Sequence, residues 1–346
     1  MSLFKGFIGT YTKGESRGIY SFDLDEEKGA LTGLRLVAEL ANPTYLAFSP
    51  DRERLYSVIK EENQGGIASF AMDKQGSLVK IGEQLDAGAP PCYLNLNPEG
   101  TVLAAANYHR GTVSIYSIGG EGAPFTLTDN VRHSGSGSDP ERQEGPHVHY
   151  ADYSPDGRFL VAVDLGTDQL TTYQENEGKL TEKAVFNFAP GTGPRHLIFH
   201  PEAPFAYVLS ELSSEIIALR FDPQNGRFTH LETRSALPDD FAGHSQGAAI
   251  KFSADGRFLY VSNRGSDSIG IFRSHSESGH LSRVKHVPVA GNWPRDFEIS
   301  PSGKFLIAAN QNSSNLVLFA RNQETGELSE PLAELAVPNP VCVKFR

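Results

Sequence analysis

Tyr153-Ser-Pro-Asp-Gly-Arg-Phe-Leu-Val-Ala-Val-Asp164 is one copy of a unit that returns along the whole chain. Phe48-Ser-Pro-Asp-Arg-Glu-Arg-Leu-Tyr-Ser-Val-Ile59, Leu96-Asn-Pro-Glu-Gly-Thr-Val-Leu-Ala-Ala-Ala-Asn107, Phe199-His-Pro-Glu-Ala-Pro-Phe-Ala-Tyr-Val-Leu-Ser210, Phe252-Ser-Ala-Asp-Gly-Arg-Phe-Leu-Tyr-Val-Ser-Asn263 and Ile299-Ser-Pro-Ser-Gly-Lys-Phe-Leu-Ile-Ala-Ala-Asn310 carry the same turn and the same apolar second strand. Two shorter alternating runs follow each copy, such as Gln169 to Tyr173 and Ala184 to Phe188, with Asn, Gly and Glu between them. That pattern is a four-stranded meander. Measured at the turn Pro or its equivalent, the copies lie 48, 57, 46, 53 and 47 residues apart, the period of propeller blades and too long for leucine-rich or ankyrin repeats.

The last segment, Asn339-Pro-Val-Cys-Val-Lys-Phe345, matches the first strand of a blade, as in Asn42 to Phe48, but the sequence stops before the remaining three strands. The N-terminus supplies the missing strands: Phe4 to Thr10, Gly18 to Leu24 and Leu34 to Leu40 read as second, third and fourth. Pairing them with Val341 to Phe345 closes a ring and removes two exposed sheet edges. The expectation is an all-β, seven-bladed β-propeller, one domain spanning residues 1–346.

Composition narrows the function classes. The 346 residues are 39% hydrophobic, without an apolar run long enough to span a membrane. The start, Met1 to Thr10, lacks a charged segment followed by an apolar one, so cytoplasmic residence is expected. Cys92 and Cys342, the only cysteines, lie in different repeats rather than in a CxxC pair and read as reduced core residues. A net charge of −11 without a basic tract opposes bulk attraction to nucleic acid or anionic membrane. An anionic small molecule would need a local cationic site.

Aligning the copies places the innermost strands' ends at Phe48, Leu96, Tyr153, Phe199, Phe252, Ile299 and Phe345. Four residues back, Thr44, Cys92, His149, Arg195, Ala248, Arg295 and Val341 fall at one mouth of the channel. The antiparallel second strands return Asn107, Asp164, Ser210, Asn263 and Asn310 to that mouth, with their successors Tyr108, Leu165, Glu211, Arg264 and Gln311. His149, Arg195 and Arg295 converge there from the third, fourth and sixth blades, while Ala248 of the fifth leaves a gap for a ligand. Gly243-His-Ser-Gln246 precedes that gap, adding His244 and Gln246. The alternative is a set of structural ion pairs of Arg and His with Glu211, Asp164 and Asp296 lining a wet channel.

His147 and His149 share one side of a strand, a spacing that suits two metal ligands, but no Cys or carboxylate pattern completes a set. Neither a metal nor an organic cofactor is expected. His149, tuned near neutrality, suits a general base. Strand alternation turns His196 away from the channel, toward an inter-blade hydrogen bond. The 57-residue step contains the polar loop His133 to Pro146, which reads either as a lid over the mouth or as a disordered insertion. Gly191-Thr-Gly193 opens a strand rather than a helix, so it is a poor phosphate loop.

Gly145-Pro-His-Val-His149, Gly193-Pro-Arg-His196, Ser253 to Asn263 and Pro294-Arg-Asp-Phe297 resemble the seven-bladed lactonase family, which includes propeller-type 6-phosphogluconolactonases and fungal carboxymuconate cyclases. The resemblance covers the whole chain. It implies a site that opens or closes a carboxylated or phosphorylated lactone. In the cyclase branch a His, an Arg and a Glu with a further Arg have been proposed as the site; His149, Arg195 and Glu211 fit, with either Arg264 or Arg295 as the last. The expected function is hydrolysis of a sugar lactone, foremost 6-phosphogluconolactone, by a monomer or weak homo-oligomer. His149 would move the proton, Arg195 would stabilise the oxyanion, Glu211 would orient Arg195 or His149, and Arg295 with Arg264 or His244 would hold the phosphate. His147, His244, Gln246, Asn263, Arg264 and Arg295 are the expected substrate contacts. A muconate-type cycloisomerase and a non-catalytic binding scaffold are the alternatives.

Overall fold

The computed structural model describes residues 3–120 and 125–346, so Met1 and Ser2 of the N-terminal stretch lie outside it. Its described strands form seven four-stranded antiparallel sheets. The first blade is β4 (Leu46–Phe48), β5 (Arg54–Glu61), β6 (Gln64–Met72) and β7 (Leu78–Ala87). The innermost strands of the next five blades are β8 (Tyr93–Leu96), β12 (Val148–Tyr153), β16 (Pro194–Phe199), β20 (Gln246–Phe252) and β24 (Pro294–Ile299). All end where the repeat alignment places them. The seventh blade has the order β28 (Pro340–Phe345), β1 (Leu3–Thr10), β2 (Gly18–Asp25), β3 (Ala30–Glu39), so the two chain ends share one sheet. Each innermost strand lies against the next, with β28 touching both β24 and β4, and the ring is closed.

Burial follows the meander outward. Second and third strands such as β13 (Leu160–Asp164) and β14 (Gln169–Asn176) are buried over most of their length, because blade faces pack on both sides of them. Phe258, Phe272, Phe297 and Phe319 are completely buried between blades, each contributing roughly 1.5–3 kcal/mol. Fourth strands such as β15 (Lys179–Asn187) alternate exposed and half-buried residues at the rim. That strand begins five residues before the run Ala184 to Phe188, since Glu177 and Gly178, both at positive φ, make a tight hairpin.

The turn that defines the repeat has a physical cause. Ser154 Oγ donates to Asp156 Oδ1 at 2.6 Å and accepts from Phe159 N at 3.1 Å, while Gly157 takes φ 70°. In the fourth blade His200 replaces the serine, and its Nδ1 accepts from the backbone N–H groups of Glu202 and Ala203. In the second, Asn97 Oδ1 accepts from Thr101 and Val102. Any side-chain acceptor that caps the turn serves.

Candidate active site

The entrance to the innermost strands is irregular in a repeated way. In β16, Pro194 lies opposite Ser210 and His196 opposite Leu209, leaving Arg195 as an extra residue. The same bulge isolates His149 in β12, Arg295 in β24 and Val341 in β28, and one extra residue falls between Gly247 and Ile250 in β20. A bulge re-aims side chains and breaks alternation. His196, expected to face away, therefore points into the channel, its ring 5.1 Å from that of His149 and 5.3 Å from that of Tyr93. With Tyr45 and Tyr150 it constricts the channel below the mouth. A void of about 40 Å³ lies there, beside Arg195 and Asp296.

Above this constriction opens a cleft of about 780 Å³, lined by residues of all seven blades and by the loop before the third. Among the described residues that line it the only carboxylate is Glu211, which is 5% exposed. Glu211 Oε2 accepts from Arg195 Nε at 3.1 Å and from Arg264 Nη2 at 2.8 Å, and Oε1 accepts from Arg142 Nη2. Burial by itself raises the carboxyl's pKa, but Arg264 and Arg195 outweigh it and hold the group well below the usual carboxylate range. Burial and the charges of Arg264 and Arg295 pull Arg195 down to about 9, leaving it cationic at neutral pH. The gap expected at Ala248 is filled by Arg195 itself, whose Nη1 donates to the Ala248 carbonyl. Arg264 also donates to Gly247 O at 2.8 Å and stands over the Trp293 ring, while its buried Nε has no partner.

Among the described residues that line the cleft, His149 is the other with an unsatisfied buried atom. Neither ring nitrogen bonds another described residue, and Nδ1 is shut off from the surface. Burial and then the nearby Arg195 charge lower its pKa well below 6.5, so the ring is neutral. Arg295 lines the cleft against the Tyr11 ring, and Gln246 lines it from the fifth blade.

Three expected contacts lie elsewhere. His147 stacks on Tyr108 at 4.2 Å, with Nδ1 held by the Tyr108 carbonyl and Nε2 by Glu144, so it braces the rim and does not pair with His149. The exposed His244 ring lies 3.4 Å from Gln246 Nε2 and is not among the residues that line the cleft. Asn263 is fully buried and donates to Ala236 O, as Asn107 does to Ala89 O and Asn310 to Val289 O. A role repeated in three blades is framework.

Loop 133–146 is neither a disordered insertion nor a free lid. His133 Nδ1 lies 2.8 Å from Asp164 Oδ2, and the fully buried Gln143 accepts from the backbone N–H groups of Ser138 and Asp139 and donates to Leu165 O. The pinned loop delivers Arg142, which sequence inspection passed over as one of several charges in a polar tract. Lys13, His109 and Trp293 line the cleft from turns outside the repeat, and Lys60 lines it from the end of β5, one residue past the copy that ends at Ile59. At Gly191-Thr-Gly193, two backbone N–H groups bond Asp168, so an internal carboxylate already occupies that turn.

The family profile described as Lactonase, 7-bladed beta-propeller, matches residues 5–345. The chain belongs to the seven-bladed lactonase family. Within it, the chain is 47% identical to the 6-phosphogluconolactonase of Bacillus subtilis over 346 residues, covering all of this chain and 99% of that protein. A crystal structure of a protein from Lactobacillus plantarum superimposes with a TM-score of 0.95 at 41% identity, over 99% of both chains. The periplasmic gluconolactonase of Pseudomonas aeruginosa superimposes with a TM-score of 0.94 at 35% identity, also over 99% of both. No helix among the described residues is long and apolar enough to cross a membrane.

Proposed function

We propose that the chain hydrolyses a sugar lactone, foremost 6-phosphogluconolactone to 6-phosphogluconate. The observation that carries this reading is a neutral, unpartnered His149 beside a carboxylate saturated by three arginines, on the floor of an otherwise cationic cleft. The likeness to the Bacillus enzyme supports the substrate.

Attack of water on the lactone carbonyl forms a C–O bond and moves the carbonyl electron pair onto oxygen. Arg195, with Nη2 unused by any described residue, meets that oxyanion. His149 takes the proton from the attacking water and gives it to the ring oxygen as the C–O ring bond breaks. Glu211 holds Arg195 and Arg264 in place without entering the bond changes. No covalent intermediate is needed.

The test is an assay that generates 6-phosphogluconolactone in place and follows its loss against a buffer blank. The protein should accelerate the loss, and His149→Ala and Arg195→Ala should each lower kcat/KM by about 100-fold or more. Two variants at the wild-type rate would remove both residues from the reaction.

A further inference from the structure

The cations that line the cleft, with Arg195 just beneath its floor, divide into two sets. Arg142, Arg195 and Arg264, from the third to fifth blades, are committed to Glu211. Lys13, Lys60 and Arg295, from the seventh, first and sixth blades, line the opposite half and have no ion-pair partner among the described residues. Tyr11 gathers two of these: Lys13 Nζ lies 5.4 Å and Arg295 Cζ 5.5 Å from the centroid of its ring. Lys60 stands near enough to His109, another lining residue, for its charge to help lower that imidazole's pKa, after burial and His147.

The segment bearing Tyr11 and Lys13 is fixed. Thr12 N donates to Asn42 Oδ1 and Asn42 N to Thr12 Oγ1, both at 3.1 Å, tying it to the first blade. Asn339 Nδ2 donates to Lys13 O at 3.0 Å, and Tyr11 N donates to Asn339 O at 3.1 Å, tying it to the closing strand. In a chain of net charge −11, three unneutralised cations on one wall of a cleft form a local anion site. A phosphate monoester near neutral pH carries close to two negative charges and three acceptor oxygens.

We propose that Lys13 and Lys60, with Arg295, grip the phosphate of the substrate and make the site selective for phosphorylated over neutral lactones. This rests on the lactone-hydrolase reading. It also orients the substrate, with its phosphate toward the sixth, seventh and first blades and its carbonyl over Arg195 and His149. Arg264 and His244 are not part of the grip, since the first is held by Glu211 and Trp293 and the second lies outside the lining.

The experiment compares the wild type with a Lys13→Met, Lys60→Met double variant on 6-phosphogluconolactone and on unphosphorylated gluconolactone. The expected result is a loss of roughly 100-fold in kcat/KM for the phosphorylated substrate, carried mainly by KM, with the neutral lactone changed less than about twofold. An unchanged ratio between the two substrates overturns the proposal. Calorimetric titration with 6-phosphogluconate, needing no turnover, is the second arm: binding that weakens in the double variant supports the grip, and equal binding overturns it. A wild type that hydrolyses neither lactone removes the hydrolase reading, while the titration still decides the anion site.

Discussion

His149 is useful as a base because two effects act on it in one direction. Burial disfavours the imidazolium, and the Arg195 guanidinium repels it, so the ring stays neutral well below pH 6.5. Catalysis needs the neutral form, which predominates above the depressed pKa and is lost as pH falls through it. The kcat/KM profile should therefore be level from neutrality downward, with its acid limb below pH 6.5. Glu211, held well below the usual carboxylate range by Arg264 and Arg195 against its burial, stays ionised over that interval and adds no limb of its own. Initial rates corrected for spontaneous opening at each pH check this, and an acid limb at or above pH 6.5 would exclude His149 as the base.

At the level of elements, the repeat was readable and its interruptions were not. A Ser-Pro-Asp-Gly turn and a run of alternating residues are local, so the ends of all seven innermost strands follow from the sequence. A bulge is settled by register against the neighbouring strand, which no local pattern records, and this is why alternation placed His196 wrongly while the repeat alignment brought His149, Arg195 and Arg295 to the mouth. Loop 133–146 misled for a related reason. Its Ser and Gly content is that of a disordered segment, yet one side chain, Gln143, answers three backbone groups from a fully buried position. Gln143→Ala should cost about 1–3 kcal/mol of stability, read as a lower melting temperature, and should lower kcat/KM in the same direction as Arg142→Ala by freeing the arginine from Glu211. If Arg142→Ala impairs turnover and Gln143→Ala does not, the loop does not position Arg142.

Across the whole molecule, the fold depends on a strand contributed by the last residues of the chain. β28 covers the edge of β1, bridges β24 and β4, and buries Cys342, Val343 and Phe345. It is also fastened to its neighbours, by Arg52 Nη1 to Phe345 O at 2.6 Å and by Arg346 Nη1 to Asp73 O at 2.7 Å. Deleting residues 340–346 would open an unpaired edge on β1, remove the neighbour that β24 and β4 share, and remove the wall behind Tyr11 and Arg295. The truncated chain should aggregate or lose its cooperative melting transition and all lactonase activity. The antiparallel register sets Phe345 opposite Gly6, and Arg346 N donates to Lys5 O, so the last residues of the chain lie beside the start of β1. A short linker joining them, with new ends opened at the exposed Gln323–Glu324 turn, should therefore restore a cooperative transition near that of the wild type, because the permuted chain keeps every blade pairing. Calorimetry on both chains distinguishes the cases: a truncated form melting at the wild-type temperature would show that the ring holds without its closing strand.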